Sequence, residues 1–335
     1  MATILEVAQK AGVSATTVSH VVNNTRFVST AVRERVHNAM DELGYRPNDL
    51  ARSLRRGETN TLGLILPDSA NPFFAEIACI IEAEAFHYGY SVILCNSEGD
   101  LEKESVYADV LAKKQVDAMI FVASGEQSAV LPELCRKGLP LVLVDRAPEA
   151  VSADIVLADN LQGGMLAARH LIDLGHSNIG CITGPNNLTP SANRVTGFRK
   201  VLEESGIVLD ETNVLRGSFH PISGYQAAMG LLSKENPPTA IFACNDMMAI
   251  GVLRAASELG LDVPRDLSLI GFDNIELSVF TTPALTTISQ PKTAIGVETI
   301  RLVIERIADK DLPPRRLVLP TQLISRNSTM ERDEK

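Results

Sequence analysis

Thr3-Ile4-Leu5-Glu6-Val7-Ala8-Gln9-Lys10-Ala11-Gly12-Val13-Ser14-Ala15-Thr16-Thr17-Val18-Ser19-His20-Val21-Val22-Asn23 is the stretch whose reading decides the fold. Thr3 followed three residues later by Glu6 is a capping box, so a helix starts at Ile4. It runs to about Ala11, with Leu5, Val7, Ala8 and Ala11 available for an apolar face. Gly12-Val13-Ser14 breaks it, and Ser14 can cap a second helix from Ala15 to about Asn23 that turns Val18, Val21 and Val22 inward. Two helices joined by a three-residue turn holding a glycine describe a helix-turn-helix. The exposed face of the second helix would carry Ala15, Thr16, Thr17, Ser19 and His20. Thr16, Thr17 and His20 can reach base edges or phosphates, and the Ala15 methyl can meet a thymine methyl. Any three-helix domain with a polar face shows the same pattern, so the pattern alone leaves both readings open.

Working outward, a third helix is expected from about Thr30 to Leu43, stopped by Gly44. Arg46-Pro47-Asn48-Asp49-Leu50-Ala51-Arg52-Ser53-Leu54-Arg55-Arg56-Gly57 then opens on a proline suited to a helix start and closes on a glycine suited to a stop. A helix this short and basic is marginal alone in water. It reads as a hinge that folds only when docked.

From Thr61 the pattern changes to strand–helix alternation. Apolar runs at Leu62–Leu66, Ser91–Cys95, Ala118–Ala123, Leu139–Val144, Ile155–Ala158, Ile179–Thr183, Ala240–Ala243 and Leu267–Gly271 are separated mostly by helix-like segments. Such runs indicate parallel sheets covered on both faces. There are too many for one compact sheet, and two Rossmann-like lobes that divide near Asp159-Asn160 fit better. The expected boundaries are residues 1–45 for the headpiece, 46–58 for the hinge and linker, and 59–330 for a core. In that core the first lobe takes about 60–160 and 291–320, and the second about 161–290 and 321–330.

Composition narrows the function. The chain has 335 residues, 45% hydrophobic and 21% charged, with a net charge of −10. That balance is ordinary for a globular protein and speaks at first against nucleic acid. The charge is uneven, because residues 1–60 hold eight basic and six acidic side chains, a cationic head on an acidic body. No apolar run reaches the roughly 18 residues that would cross a bilayer, and the first residues lack an export signal. The five cysteines form no C-x-x-C pair, and a reduced cytoplasm is expected. No G-x-S-x-G elbow, H-E-x-x-H or P-loop is present, and the six histidines lack metal-ligand spacing. Gly163-Gly164 alone is too weak for a nucleotide site. No catalytic residue, metal or cofactor is expected.

In open α/β sheets, ligands sit at the carboxyl ends of strands. Those ends carry Asn71 with Phe73 and Phe74, Asp145-Arg146, Asn245-Asp246, Asp273 and Gln290. Amides, carboxylates and a guanidinium suit sugar hydroxyls, which both donate and accept, and aromatic faces suit a sugar's C–H face. Each position alone has a plainer reading as a turn, cap, ion pair or core residue.

The headpiece resembles the LacI/GalR family of bacterial repressors. The resemblance rests on Ala2-Thr3-Ile4 through Asn23, on Arg26-Phe27-Val28-Ser29, on Tyr45-Arg46-Pro47-Asn48 and on Ala51-Arg52-Ser53-Leu54. It implies that Leu54 wedges between base pairs in the minor groove, that Arg55 assists there, and that Arg26 and Tyr45 touch phosphate or base. Residues 61–328 resemble periplasmic sugar-binding proteins, especially ribose-binding ones, which share their fold with this family. The whole is thus expected to be an all-α helix-turn-helix headpiece on an α/β core of the periplasmic-binding-protein type. Asn71, Phe73, Phe74, Asp145, Arg146, Arg194, Phe219, Asn245, Asp273 and Gln290 fall on the ribose-binding pattern. One position departs: the family's asparagine after the third strand is Ala123 or Ser124 here. Purine-responsive members carry an arginine and a threonine where this chain has Pro190 and Ala192, and a tyrosine at Phe73, so a purine corepressor is not expected. Leu94–Asp100 and Gly271–Leu277 look most like ribose-operon repressors.

The resemblance therefore implies a homodimeric repressor of a sugar-utilisation operon, on a near-palindromic operator, with D-ribose or a similar small sugar as effector. The alternatives are another pentose or hexose, or a protein co-regulator. The chain shows no leucine heptad of the kind that builds four-chain assemblies.

Overall fold

The protein is described by a computed structural model over residues 2–46, 58–125, 128–146, 148, 151–185 and 188–332. It divides into two compact units, Met1–Thr59 and Asn60–Lys335.

The first unit holds helices α1 (Ile4–Ala11), α2 (Ala15–Asn23) and α3 (Thr30–Leu43). Thr3 Oγ1 accepts from the Glu6 N–H at 3.3 Å, and the Glu6 carboxylate accepts from the Thr3 N–H at 2.7 Å, which completes the capping box. Gly12 at φ 65° ends α1 in the left-handed region, where a side chain would be strained. Val7, Ala8, Ala11, Val18, Val21, Val36 and Ala39 form the core. Leu5, expected on the apolar face, is instead 68% exposed. The buried row runs Ile4, Val7, Ala8, Ala11, the i, i+3, i+4, i+7 spacing, and Leu5 sits about 100° off it. Residues 47–57 of the hinge segment lie outside the described residues.

The second unit contains two six-stranded sheets. Strands β1 (Thr61–Leu66), β2 (Ser91–Asn96), β3 (Ala118–Phe121), β4 (Leu141–Val144), β5 (Asp154–Ala158) and β11 (Arg316–Leu319) form the first, in the order β11-β5-β4-β3-β1-β2. Strands β6 (Ile179–Thr183), β7 (Val214–Arg216), β8 (Ala240–Ala243), β9 (Ser268–Asp273), β10 (Thr286–Ser289) and β12 (Gln322–Ile324) form the second, in the order β12-β10-β9-β8-β6-β7. Every pairing is parallel except β10 with β12. The central strands β3, β4 and β8 are buried at every residue, as strands covered on both faces must be. Sequence periodicity missed β7, β11 and β12. They are edge strands of three or four residues, and none of their residues is buried. The chain passes between the sheets three times, after β5, after β10 and after β11.

Helices α4 (Pro72–His87), α5 (Leu101–Lys113), α6 (Val130–Arg136), α7 (Asn160–Asp173), α8 (Thr189–Glu204), α9 (Pro221–Leu232), α10 (Asp246–Glu258), α11 (Leu277–Phe280) and α12 (Lys292–Ala308) cover the sheets. Two pairs cross unusually closely. A Cβ on Gly164 of α7 would lie 1.9 Å from the Arg194 carbonyl oxygen of α8, and one on Gly197 would lie 2.0 Å from that of Leu161. In α9 and α10, a Cβ on Gly224 would meet the Met248 oxygen at 2.1 Å and one on Gly251 the Pro221 oxygen at 2.0 Å. Gly163 makes room for the Phe272 ring, 2.6 Å from where its Cβ would be. The Gly163-Gly164 pair therefore serves helix–helix and helix–sheet approach.

His176, just past α7, is buried, its ring bonded to Thr239 Oγ1 at 3.0 Å and Ser268 Oγ at 2.9 Å. Of the cysteines, Cys95, Cys181 and Cys244 are buried, whereas Cys79 is exposed. No helix among the described residues is long and apolar enough to cross a membrane, and none of their acidic, histidine or cysteine side chains cluster as a metal site would require.

Candidate functional site

One pocket of about 320 Å³ lies between the lobes of the core, lined by Asn71, Phe73, Phe74, Asp145, Arg146, Leu188, Pro190, Arg194, Phe219, Asn245 and Asp273. Nine of the ten ligand residues expected from sequence line it. The tenth, Gln290, stands behind the wall, where its amide donates to Asp273 Oδ1 at 2.7 Å. Leu188 and Pro190, at the start of α8, line it too.

The first lobe supplies one half. Asn71 caps α4 by accepting from the Phe73 N–H at 3.1 Å, which fixes the first turn and points Phe73 and Phe74 inward. Their rings meet edge to face at 5.2 Å. Asp145, just past β4, adopts φ 66°, and Arg146 follows with its Nε 3.5 Å from the Asp145 carboxylate. The Arg146 guanidinium donates to the Ala123 carbonyl at 2.6 Å and lies 5.8 Å from the Phe74 ring centre.

The second lobe supplies the other half, carried on the glycine-crossed helices. Arg194 lies three residues before Gly197 on α8. It donates to Asn160 Oδ1 at 2.7 Å and to the Cys244 carbonyl at 2.5 Å, and it stands 3.3 Å from Asp273 Oδ1. Its guanidinium also lies over the Phe272 ring at 3.8 Å, a cation–π arrangement. Asn245 caps α10 through the Met248 N–H at 2.9 Å, and its amide donates to the Phe219 carbonyl at 3.0 Å. Phe219 has φ 66°, and Gly184 leaves the space its ring occupies, 2.2 Å from where a Cβ would be.

Asp145, Phe219 and Asp273 thus all take positive φ without being glycine, the last at 107°. Such backbone costs about 1–3 kcal/mol per residue and persists where surrounding structure enforces it. Here it turns two strand-end side chains, Asp145 and Asp273, and the loop residue Phe219 into one cavity.

Two carboxyl groups, Asp273 in the pocket wall and Asp246 outside its lining, are displaced from ordinary behaviour. Burial pushes Asp273 up to about 6, against the opposing pull of Arg194 and Gln290. Asp246, fully buried, is pushed up to about 8 by burial and then by the Asp273 charge. Thr287 Oγ1 and the Ile275 N–H both donate to it, at 2.6 and 2.9 Å.

On the headpiece, Thr16 and Arg26 are exposed, and Ala15, Thr17 and His20 are half-buried. Ser14 Oγ accepts from the Thr17 N–H at 3.1 Å, so the first turn of α2 is capped. His20 Nδ1 pairs with Thr25 Oγ1 at 2.8 Å. Ala15 and Tyr45 also pack against the headpiece core, a structural duty beside the one expected of them. Leu54 and Arg55 lie outside the described residues.

Comparison with known proteins identifies the family of both units. A model of bacterial regulatory proteins of the lacI family matches residues 3–48, and one of the periplasmic binding protein-like domain matches residues 168–329. The chain is 40% identical over 332 residues to the HTH-type transcriptional repressor PurR of Photobacterium profundum, covering 99% of each. The crystal structure of the lac repressor dimer bound to operator and the anti-inducer ONPF matches with a TM-score of 0.89 at 29% identity, over 98% of this chain and 99% of that one. A LacI family transcriptional regulator from Enterococcus faecium with bound ribose matches with a TM-score of 0.75 at 30% identity, over 82% of this chain and all of that one. With a helix-turn-helix headpiece and a two-lobed ligand-binding core, the chain belongs to the lacI family of bacterial regulatory proteins and is a DNA-binding transcription repressor, not an enzyme.

Proposed function

We propose that the effector of this repressor is a small neutral sugar, D-ribose first among them, bound in the interlobe pocket. The carrying observation is the pocket's balanced charge: Asp145 and Asp273 face Arg146 and Arg194, one of each from either lobe, with Phe73, Phe74 and Phe219 between them. A phosphate or carboxylate ligand would call for a cationic surplus. Paired donors and acceptors beside aromatic rings suit a polyol. A ligand gripped by both lobes can favour the closed arrangement only by binding it better than the open one. In this reading the protein acts as a homodimer on a near-palindromic operator. Ala15, Thr16, Thr17, His20, Arg26 and Tyr45 contact DNA from the headpiece, Leu54 and Arg55 from the hinge, and sugar binding releases the DNA.

A purine effector is the second reading, favoured by the 40% identity to repressors named PurR. Against it stands Pro190 in the pocket wall, at a position where purine-responsive members are expected to offer an arginine. Calorimetric titration of the full chain with D-ribose, other pentoses and hexoses, and guanine separates the readings. Heat with ribose and none with guanine supports the sugar, and the reverse assigns the purine.

A further inference from the structure

Glu104 is a charged side chain in α5 that is 1% exposed, and none of its partners belongs to the pocket wall's own ligand set. One carboxylate oxygen accepts from the Ser124 backbone N–H at 2.6 Å, and the other from the Ser128 hydroxyl. Both partners lie in the loop after β3, where the sequence departs from the ribose-binding pattern. Ser124 is held a second time: its hydroxyl meets Ser97 Oγ at 2.9 Å, and Ser97 Oγ in turn donates to the Leu66 carbonyl at 3.1 Å, at the end of β1. The peptide fixed in this way follows Ala123, whose carbonyl takes the Arg146 guanidinium at 2.6 Å.

We propose that Glu104 is a positioning residue of the effector pocket: by anchoring the Ser124 peptide it holds the Ala123 carbonyl where Arg146 docks, and so aims that guanidinium at the ligand. A buried carboxylate is not needed to close a loop of this size, since serine–serine and backbone bonds would do so at less desolvation. What the Glu104 side chain adds is two polar atoms of fixed spacing reaching from α5, one for the Ser124 N–H and one for the Ser128 hydroxyl, which tie the peptide to the helix. The proposal rests on Arg146 being an effector contact, as read above.

The test uses the full chain with Glu104→Gln and Glu104→Ala. Glutamine keeps an acceptor for the Ser124 N–H and offers its amide to the Ser128 oxygen, whereas alanine keeps neither. Titration with D-ribose should show affinity within about threefold of wild type for E104Q and at least about tenfold weaker for E104A, the loss expected on deleting both bonds to the loop. A second readout needs no ligand. The arginine Nε–H NMR signal identified by its loss in Arg146→Lys should stay sharp in wild type and E104Q and shift or broaden in E104A. Equal affinities for all three proteins, an equal loss in both variants, or an unmoved Arg146 signal in E104A overturns the proposal. If wild type gives no heat with ribose while the Arg146 signal still responds to E104A, the sugar reading fails and the positioning role stands.

Discussion

Arg194 Nη1 lies 3.3 Å from Asp273 Oδ1, and Gln290 donates to that same oxygen at 2.7 Å, with all three residues buried. The pair joins α8 to the end of β9 and forms one wall of the pocket. Removing one member of such a buried pair strands the other, which costs about 3–5 kcal/mol. Arg194→Ala should therefore weaken effector binding by at least about 100-fold and lower the melting temperature as well. Calorimetry and thermal denaturation check both. Retained affinity would show that Arg194 serves only the fold.

The carboxyl of Asp246 gives a pH prediction with a definite sign. Its folded-state value of about 8 stands above the ordinary 3.8, so the folded protein holds the proton more tightly. The resulting stability is present below about pH 4 and is lost as pH rises through about 8. The groups that bear on it are Asp273, Thr287, the Ile275 N–H, Lys292 and Arg326. Asp246→Asn removes the titration while keeping an acceptor for the Ile275 N–H. Its melting temperature should rise relative to wild type as pH increases across that window and then run parallel to it. Parallel curves throughout would mean that Asp246 titrates as an ordinary carboxylate.

Gly164→Ala would place a methyl 1.9 Å from the Arg194 carbonyl oxygen, against helix backbone that cannot swing aside. Overpacking of this kind costs about 1–3 kcal/mol. Because α8 carries Arg194, effector affinity should fall along with stability. A variant that melts like wild type would contradict the close crossing of α7 and α8.

Ser14→Ala removes the cap on α2 at a cost of about 1 kcal/mol. Operator affinity should fall severalfold in a fluorescence anisotropy titration at fixed salt, since the uncapped turn carries Thr16 and Thr17. No change would separate that turn from DNA reading.

Much of this was legible in the sequence, for physical reasons. Helices α1 to α3 announced themselves through Thr3, Gly12, Ser14 and Gly44, because caps and left-handed turns restrict residue choice. Asn71, Asp145, Asn245 and Asp273 were found because polar residues at the ends of apolar strands of an α/β fold face the crevice. Arg194, in the middle of a helix, and Phe219, in a loop, carried no such local signal and came from family resemblance alone. Glu104 and Asp154 escaped notice altogether. Glu104 is satisfied by serines 20 and 24 residues away, and Asp154 by Arg306 and Arg315, more than 150 residues on. Nothing local distinguishes such carboxylates from solvated ones. Leu188 escaped for the opposite reason, since an apolar pocket wall reads like any other buried leucine.

In the proposed reading, a ligand held between Arg146 and Arg194 governs the grip on DNA. Fluorescence anisotropy of the full-length protein on its operator, titrated with D-ribose at constant salt, measures that linkage directly. Operator affinity should fall as the sugar saturates the pocket, and the fall should vanish in Asp273→Ala. Unchanged affinity with millimolar ribose present, in protein that calorimetry shows to be sugar-bound, would mean that the pocket does not govern DNA binding.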